Sequence, residues 1–218
     1  EERELTLMLA VDVSGSQNFG SKNNFKGEIV ALVAATLAFS AIKNNDQVGL
    51  VLFSNDIELY VPPKKGKAHV YRILREILFF KPKNKNTNIS KALEFLNGVL
   101  KKRATIFVLS DFQDENYETS LKYLEKKHEV IAGLVQDEAE FHFPNVGLID
   151  LQDAETGESI LVDTSNPMFQ AEMKAKFKNE FEQFSKKLKR SGVDSFVFDA
   201  DEHFHKALLA FFKRRKQR

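Results

Sequence analysis

Short runs of apolar residues alternate along the chain with longer segments in which apolar residues recur every three or four positions. The apolar runs occupy residues 5–11, 48–53, 105–109 and 130–135. A short run without a polar face predicts a strand that is buried on both sides, as in a parallel sheet. The four runs therefore predict the centre of such a sheet.

The segments between these runs predict helices. In residues 25–43, Ile29, Val33, Leu37 and Ala41 form one apolar stripe at helical spacing. Further helices are predicted over residues 70–80, 89–100 and 117–127. Strands that alternate with helices indicate βαβ units. We therefore expect an α/β fold with a doubly wound, mostly parallel central sheet and helices on both faces.

The remaining segments add an edge strand and a less regular second half. Residues 57–61 alternate enough for an antiparallel edge strand, which Pro62-Pro63 are expected to stop. Segments 146–151 and 159–162 flank an acidic turn and predict a small β-hairpin. A helix, a strand and a last helix are then predicted over 169–190, 195–198 and 203–215. The pattern fits one domain over residues 1–218 with a hairpin insertion near 146–163.

Oxygen-bearing side chains follow two of the buried strands and precede one helix. Asp12, Ser14 and Ser16 come directly after the first strand, Asp111 follows the strand at 105–109, and Thr87 precedes the helix at 89–100. Ligands of open α/β sheets collect beyond the carboxyl ends of the strands. Carboxylates and hydroxyls are ligands that Mg²⁺ accepts, together with water. The sequence therefore predicts a divalent-metal site made of these five residues.

A purely structural interpretation is that each of these residues belongs to an ordinary turn or helix cap. Taken singly, Thr87 and Asp111 fit a cap or a turn about as well as a ligand. Their joint placement at element boundaries of one sheet edge favours the metal site. A metal-assisted phosphoryl or ester hydrolase is the main alternative function, and a scaffold with a vestigial site is a third.

Composition and missing motifs narrow the function. Lys plus Arg is 32 and Asp plus Glu is 31, a balance that argues against a nucleic-acid binder. The chain has no cysteine and no apolar run of the roughly 20 residues that a membrane helix needs. No zinc-protease histidine motif, nucleophile elbow or phosphate-binding loop is present. We therefore expect a non-enzymatic interaction domain. Because the chain opens at Glu1 without Met, we also expect a fragment of a longer protein.

The five predicted ligands resemble the metal-ion-dependent adhesion site of von Willebrand factor type A domains, which have a Rossmann-like fold. Segments 48–53, 87–93 and 109–112 resemble the second strand and the second and third metal loops of that family. Segments 61–63, 137–140, 153–157 and 162–164 resemble a bacterial branch called domain of unknown function fifty-eight. Lys85-Asn86 and Glu138 depart from its pattern, which commonly has glycines before the threonine and proline at the latter position.

The resemblance implies roles for these residues. Hydroxyls of Ser14, Ser16 and Thr87 would coordinate the ion directly, and Asp12 and Asp111 would act directly or through water. Mg²⁺ is the expected ion, with Mn²⁺ and Ca²⁺ as alternatives. The open position would take water or an acidic side chain from a protein partner. The branch implies a MoxR-type AAA+ ATPase or its client as that partner. It also implies a location in the cytoplasm or on its membrane face, with any anchor in segments outside this chain.

Overall fold

A computed structural model describes residues 5–14, 25–84, 86–136, 145–152 and 158–199. A six-stranded sheet has the order β3-β2-β1-β4-β5-β8. Its strands are β1 (Thr6–Asp12), β2 (Gln47–Phe53), β3 (Ile57–Lys64), β4 (Thr105–Ser110), β5 (Glu129–Gln136) and β8 (Asp194–Asp199). β3 runs antiparallel to β2, and every other neighbouring pair is parallel. The predicted mostly parallel central sheet with one antiparallel edge strand is confirmed.

Helices cover both faces of this sheet. They are α1 (Phe25–Lys43), α2 (Lys67–Phe79), α3 (Ile89–Val99), α4 (Glu118–Glu125) and α5 (Pro167–Arg190). Alternate residues of β1 enter two separate cores, because successive strand side chains point to opposite faces. Leu9 packs with buried residues of α1 and α2, whereas Met8 packs with those of α3 and α4. The central strands are therefore buried on both sides, which is why they are almost wholly apolar.

The edge strand differs from its prediction. β3 continues to Lys64, so the expectation that Pro62-Pro63 would stop it was wrong. Val48 pairs with Lys64 and Leu50 with Val61, so three steps along β3 oppose two along β2. Both prolines lie in this bulge on an edge strand, where missing backbone N–H groups are tolerated.

The second half contains the predicted hairpin. β6 (Leu148–Gln152) and β7 (Ser159–Asp163) pair antiparallel and form a separate two-stranded sheet. α5 begins after Asn166, whose side-chain oxygen accepts a hydrogen bond from the backbone N–H of Met168 at 2.9 Å. The helix predicted at 203–215 lies outside the described residues. None of the helices in the described ranges has the length and apolar character of a membrane span.

We expect Gly49→Ala to destabilise the sheet by about 1–3 kcal/mol, the usual cost of overpacking a core. A Cβ at Gly49 would stand 2.7 Å from Met8 Cε and 3.0 Å from Pro63 Cγ, and Met8 is fully buried. Gly98→Ala in α3 is the matched control, because its Cβ would meet nothing within 4 Å. There we expect a gain of about 0.5–1 kcal/mol from helix propensity. Urea unfolding measures both, and equal effects would contradict the packing argument.

Candidate metal centre

The first part of the candidate site forms where the parallel strands β1 and β4 end side by side. Val11 pairs with Leu109, so Asp12 and Ser110 follow at the same level. Oδ2 of Asp12 accepts a hydrogen bond from the Ser110 hydroxyl at 2.6 Å, and Oδ1 accepts one from the backbone N–H of Ser14 at 2.9 Å. Asp12 is only 2% exposed. The carboxylate is therefore fixed in place at the centre of the sheet edge.

Two carboxyl groups, those of Asp12 and Asp111, lie close enough for their charges to interact. Burial, followed by the negative charge of Asp111, raises the pKa of Asp12 from 3.8 to about 6. The hydrogen bonds from Ser110 and Ser14 oppose this shift, because they favour the charged form. A buried carboxylate beside a second carboxylate is stabilised by a bound cation. The electrostatics of Asp12 and Asp111 therefore fit a divalent ion.

Thr87 lies at the start of α3, which is held between two loops of the same sheet edge. The backbone N–H of Asn88 donates to the carbonyl of Ser54 after β2 at 2.9 Å. The N–H of Ile89 donates to Oδ2 of Asp114 after β4 at 2.7 Å. Since β1 lies between β2 and β4, these contacts place Thr87 at the edge where Asp12 ends its strand.

The Thr87 hydroxyl does not cap the helix. Asn88 is the cap, and its Oδ1 accepts a hydrogen bond from the N–H of Lys91 at 2.9 Å. Oγ1 of Thr87 is buried and has no hydrogen-bond partner within the described structure. An unsatisfied buried hydroxyl costs about 1–3 kcal/mol, so such an atom calls for an explanation. A cation at this edge would satisfy its lone pairs, so the hydroxyl fits a ligand role.

The other predicted ligands are placed less completely. Ser14 is fully buried one residue beyond Val13, whose N–H donates to the carbonyl of Phe53 at 2.8 Å. Asp111 is partly exposed, and its Oδ1 accepts a hydrogen bond from the N–H of Gln113 at 3.2 Å. Ser16 lies outside the described residues. The structure thus brings Asp12, Ser14 and Asp111 to the adjoining ends of β1 and β4, and Thr87 to the same edge of the sheet.

Two supporting residues were not predicted from the sequence. Ser110 orients Asp12, and its Oγ also accepts a hydrogen bond from the N–H of Phe112 at 3.0 Å. Asp114 anchors the first turn of α3 through Ile89. Ser110 could have been found from the sequence, because aligning the ends of the first and third buried strands sets it beside Asp12. The Asp114 contact crosses 25 positions and has no local signature.

The proposed donor set has only two anionic groups, Asp12 and Asp111. Across the ranges that the structure describes, no group of three or more His, Cys, Asp or Glu residues is arranged to hold a metal ion. The candidate set instead combines two carboxylates with neutral hydroxyls. Such oxygen ligands suit Mg²⁺, which keeps several waters and uses few protein carboxylates. Structural zinc sites more commonly use nitrogen and sulfur ligands.

We expect Asp12→Asn to stabilise the metal-free protein at pH 7.5 by about 1–3 kcal/mol and to have little effect at pH 4.5. A folded-state pKa raised to about 6 means that stability is lost as pH rises from about 4 to 6, at about 1.4 kcal/mol per pKa unit. Asparagine removes that buried charge. Urea unfolding in EDTA at both pH values measures the effect.

The matched control is Asp150→Asn, which removes an exposed carboxylate in β6 and should change stability by less than about 0.5 kcal/mol. If Asp12→Asn destabilises the protein equally at both pH values, charge burial at Asp12 is the wrong explanation.

Comparisons with known proteins agree with this fold. An uncharacterised protein of Mycobacterium bovis is 29% identical over 159 residues, which are 72% of this chain and 50% of the relative. An uncharacterised protein of Mycobacterium tuberculosis matches with the same figures. The chain therefore spans about half the length of the curated relatives it matches.

Solved structures share the architecture at low sequence identity. The conserved hypothetical protein BatB from Bacteroides thetaiotaomicron has a TM-score of 0.61 at 17% identity, with 98% of this chain and 100% of that chain covered. An aerotolerance-related membrane protein from Bacteroides fragilis has a TM-score of 0.60 at 16% identity, with coverages of 96% and 99%. The family model described as "Protein of unknown function DUF58" matches residues 1–183. The chain belongs to this family.

Proposed function

We propose that this chain is a single metal-dependent protein-interaction domain, in which Asp12, Ser14, Ser16, Thr87 and Asp111 hold one divalent cation. Mg²⁺ is the proposed ion, and Mn²⁺ or Ca²⁺ are the alternatives. The observation that carries the proposal is the buried Thr87 hydroxyl, which has no hydrogen-bond partner among the described residues, at the sheet edge where Asp12 is buried beside Asp111. A cation would remove both unfavourable features at once.

The donor set supports binding a partner through the ion. Two carboxylates balance the charge of a divalent cation, and the hydroxyls add none. An ion with so few anionic ligands retains affinity for a further carboxylate, and Mg²⁺ commonly completes its shell with groups from outside the protein. We propose that an acidic side chain of a partner protein supplies this ligand. Binding then requires both the metal and the acidic residue.

The family resemblance motivates the setting. We propose a MoxR-type AAA+ ATPase or its client as the partner, met in the cytoplasm or at the cytoplasmic face of a membrane. Any membrane anchor would belong to segments of a longer protein. The even charge balance of 32 basic and 31 acidic residues supports a protein partner over a nucleic acid.

Thr87→Val should lower Mg²⁺ affinity by about tenfold or more, a loss seen even for residues that only support a ligand. The substitution keeps the branched shape and removes the buried hydroxyl, so the metal-free protein should be equally stable or more stable. Thr87→Ser keeps a hydroxyl and should retain most of the affinity. Calorimetric titration with Mg²⁺ and Mn²⁺ measures binding, and equal binding by wild type and Thr87→Val would remove Thr87 from the site.

Partner binding should follow metal binding. We expect the full-length protein to bind the MoxR-type ATPase of its own genome in Mg²⁺, with loss of binding in EDTA and in Asp12→Asn. Asp150→Asn should bind as wild type does. Binding that is unchanged in EDTA would contradict a metal-bridged contact. Metal-dependent turnover in a phosphatase and esterase screen, lost in Asp111→Ala, would instead favour the hydrolase.

A further inference from the structure

A groove of about 300 Å³ lies between α5 and the segment that follows β4. Its lining residues are Phe112, Tyr117, Asn179, Gln183, Phe184 and Lys187. Phe112 is the residue directly after Asp111. The groove therefore begins one residue away from a proposed metal ligand.

The walls of this groove are aromatic and its rim is polar. The ring centroids of Phe112 and Phe184 are 4.9 Å apart, and those of Phe112 and Tyr117 are 5.8 Å apart. Asn179, Gln183 and Lys187 are spaced four residues apart and share one face of α5. Concave sites with apolar walls and a few polar groups bind apolar ligand groups and orient them.

The backbone at Phe112 joins the groove to the metal centre. Phe112 has a φ of 56°, a left-handed conformation that is uncommon and strained for a bulky residue. Its N–H donates to Oγ of Ser110, and the same hydroxyl donates to Asp12. One serine thus fixes both the carboxylate of the site and the aromatic wall of the groove.

α5 extends the surface beyond the sheet edge. It leads into β8, which is parallel to β5, so its first residues lie towards the edge that carries the metal centre. None of the described side chains in residues 167–183 is buried, whereas Leu188 is fully buried. Residues 167–190 contain seven Lys or Arg and three Glu. Four of these basic residues and none of the Glu lie in residues 186–190, so the basic charge of α5 is concentrated in its last turns, where Lys187 lines the groove. This end of α5 offers basic side chains to an acidic segment.

We propose that this groove binds an apolar side chain of the same partner segment whose carboxylate completes the metal shell. The partner motif is then an acidic residue close in sequence to an aromatic or large aliphatic residue. The proposal rests on the proposed function, and adds a second contact that supplies specificity. The metal accepts any accessible carboxylate, whereas the groove selects among them by the neighbouring side chain.

The test selects ligands from a phage-displayed library of random short peptides on the wild-type chain in Mg²⁺. We expect enriched peptides to pair Asp or Glu with a nearby aromatic or large aliphatic residue. In fluorescence anisotropy with an enriched peptide, replacing its apolar residue by Ala should weaken binding by about tenfold or more. Gln183→Trp, which fills the groove, should weaken binding of the unchanged peptide by a similar factor. In this variant, replacing the apolar residue of the peptide by Ala should have no further effect on binding.

Ala171→Trp is the matched control, because Ala171 is exposed and lies about 120° around α5 from Gln183. It should bind as wild type does. If EDTA and Thr87→Val abolish binding while Gln183→Trp has no effect, the groove proposal is wrong and the metal function stands. If Gln183→Trp abolishes binding while EDTA has no effect, the groove stands and the metal function fails.

Other outcomes also overturn the groove proposal. The proposal is wrong if the selection enriches no peptides that combine an acidic with an apolar residue. Self-association of the chain that Gln183→Trp abolishes would assign the groove to a second copy. Binding to anionic lipid vesicles that Gln183→Trp abolishes would assign it to a membrane surface.

Discussion

The buried carboxylate of Asp12 is the constraint around which the sheet edge is organised. A charged group that is only 2% exposed is tolerated only when hydrogen bonds or an opposite charge compensate for lost water. Ser14 and Ser110 supply hydrogen bonds, yet the pKa remains raised to about 6. The protein scaffold therefore compensates only part of the desolvation cost, and a cation would supply the rest.

Hydrogen bonds between neighbouring loops keep the surroundings of this carboxylate in one geometry. The backbone N–H of Val13 donates a hydrogen bond to the carbonyl of Phe53 at the end of β2. In the same way, the N–H of Asn88 donates to the carbonyl of Ser54, and the N–H of Ile89 donates to the carboxylate of Asp114 after β4. These contacts tie the ends of β2, β1 and β4 to the start of α3. A site held by such a frame loses little freedom when an ion binds, which favours affinity.

The sequence predicted the order of the strands and helices well, because each kind of element has its own pattern of apolar residues. Buried strands are recognised as continuous apolar runs. The polar residues that follow them lie at one edge of the sheet, because the carboxyl ends of parallel strands meet there. The bulge at Pro62-Pro63 was missed because it depends on register with β2, where Gly49 leaves room for Pro63. The identity of the α3 cap, Asn88 instead of Thr87, was likewise undetermined, since both residues have cap chemistry.

Phe112 shows where local sequence signals end. Nothing in a Ser-Asp-Phe triplet predicts a left-handed phenylalanine, because that conformation is imposed by contacts with Ser110 and with Phe184, which lies far along the chain. A strained residue persists when surrounding contacts over-determine it, and such residues cluster at functional sites. Because Ser110 is bonded to both Asp12 and Phe112, any change in the charge or position of Asp12 acts on the bond that fixes Phe112. Coupling of this kind is reciprocal, so an occupant of the groove that fixes Phe112 would also favour the arrangement of Asp12 that binds the ion.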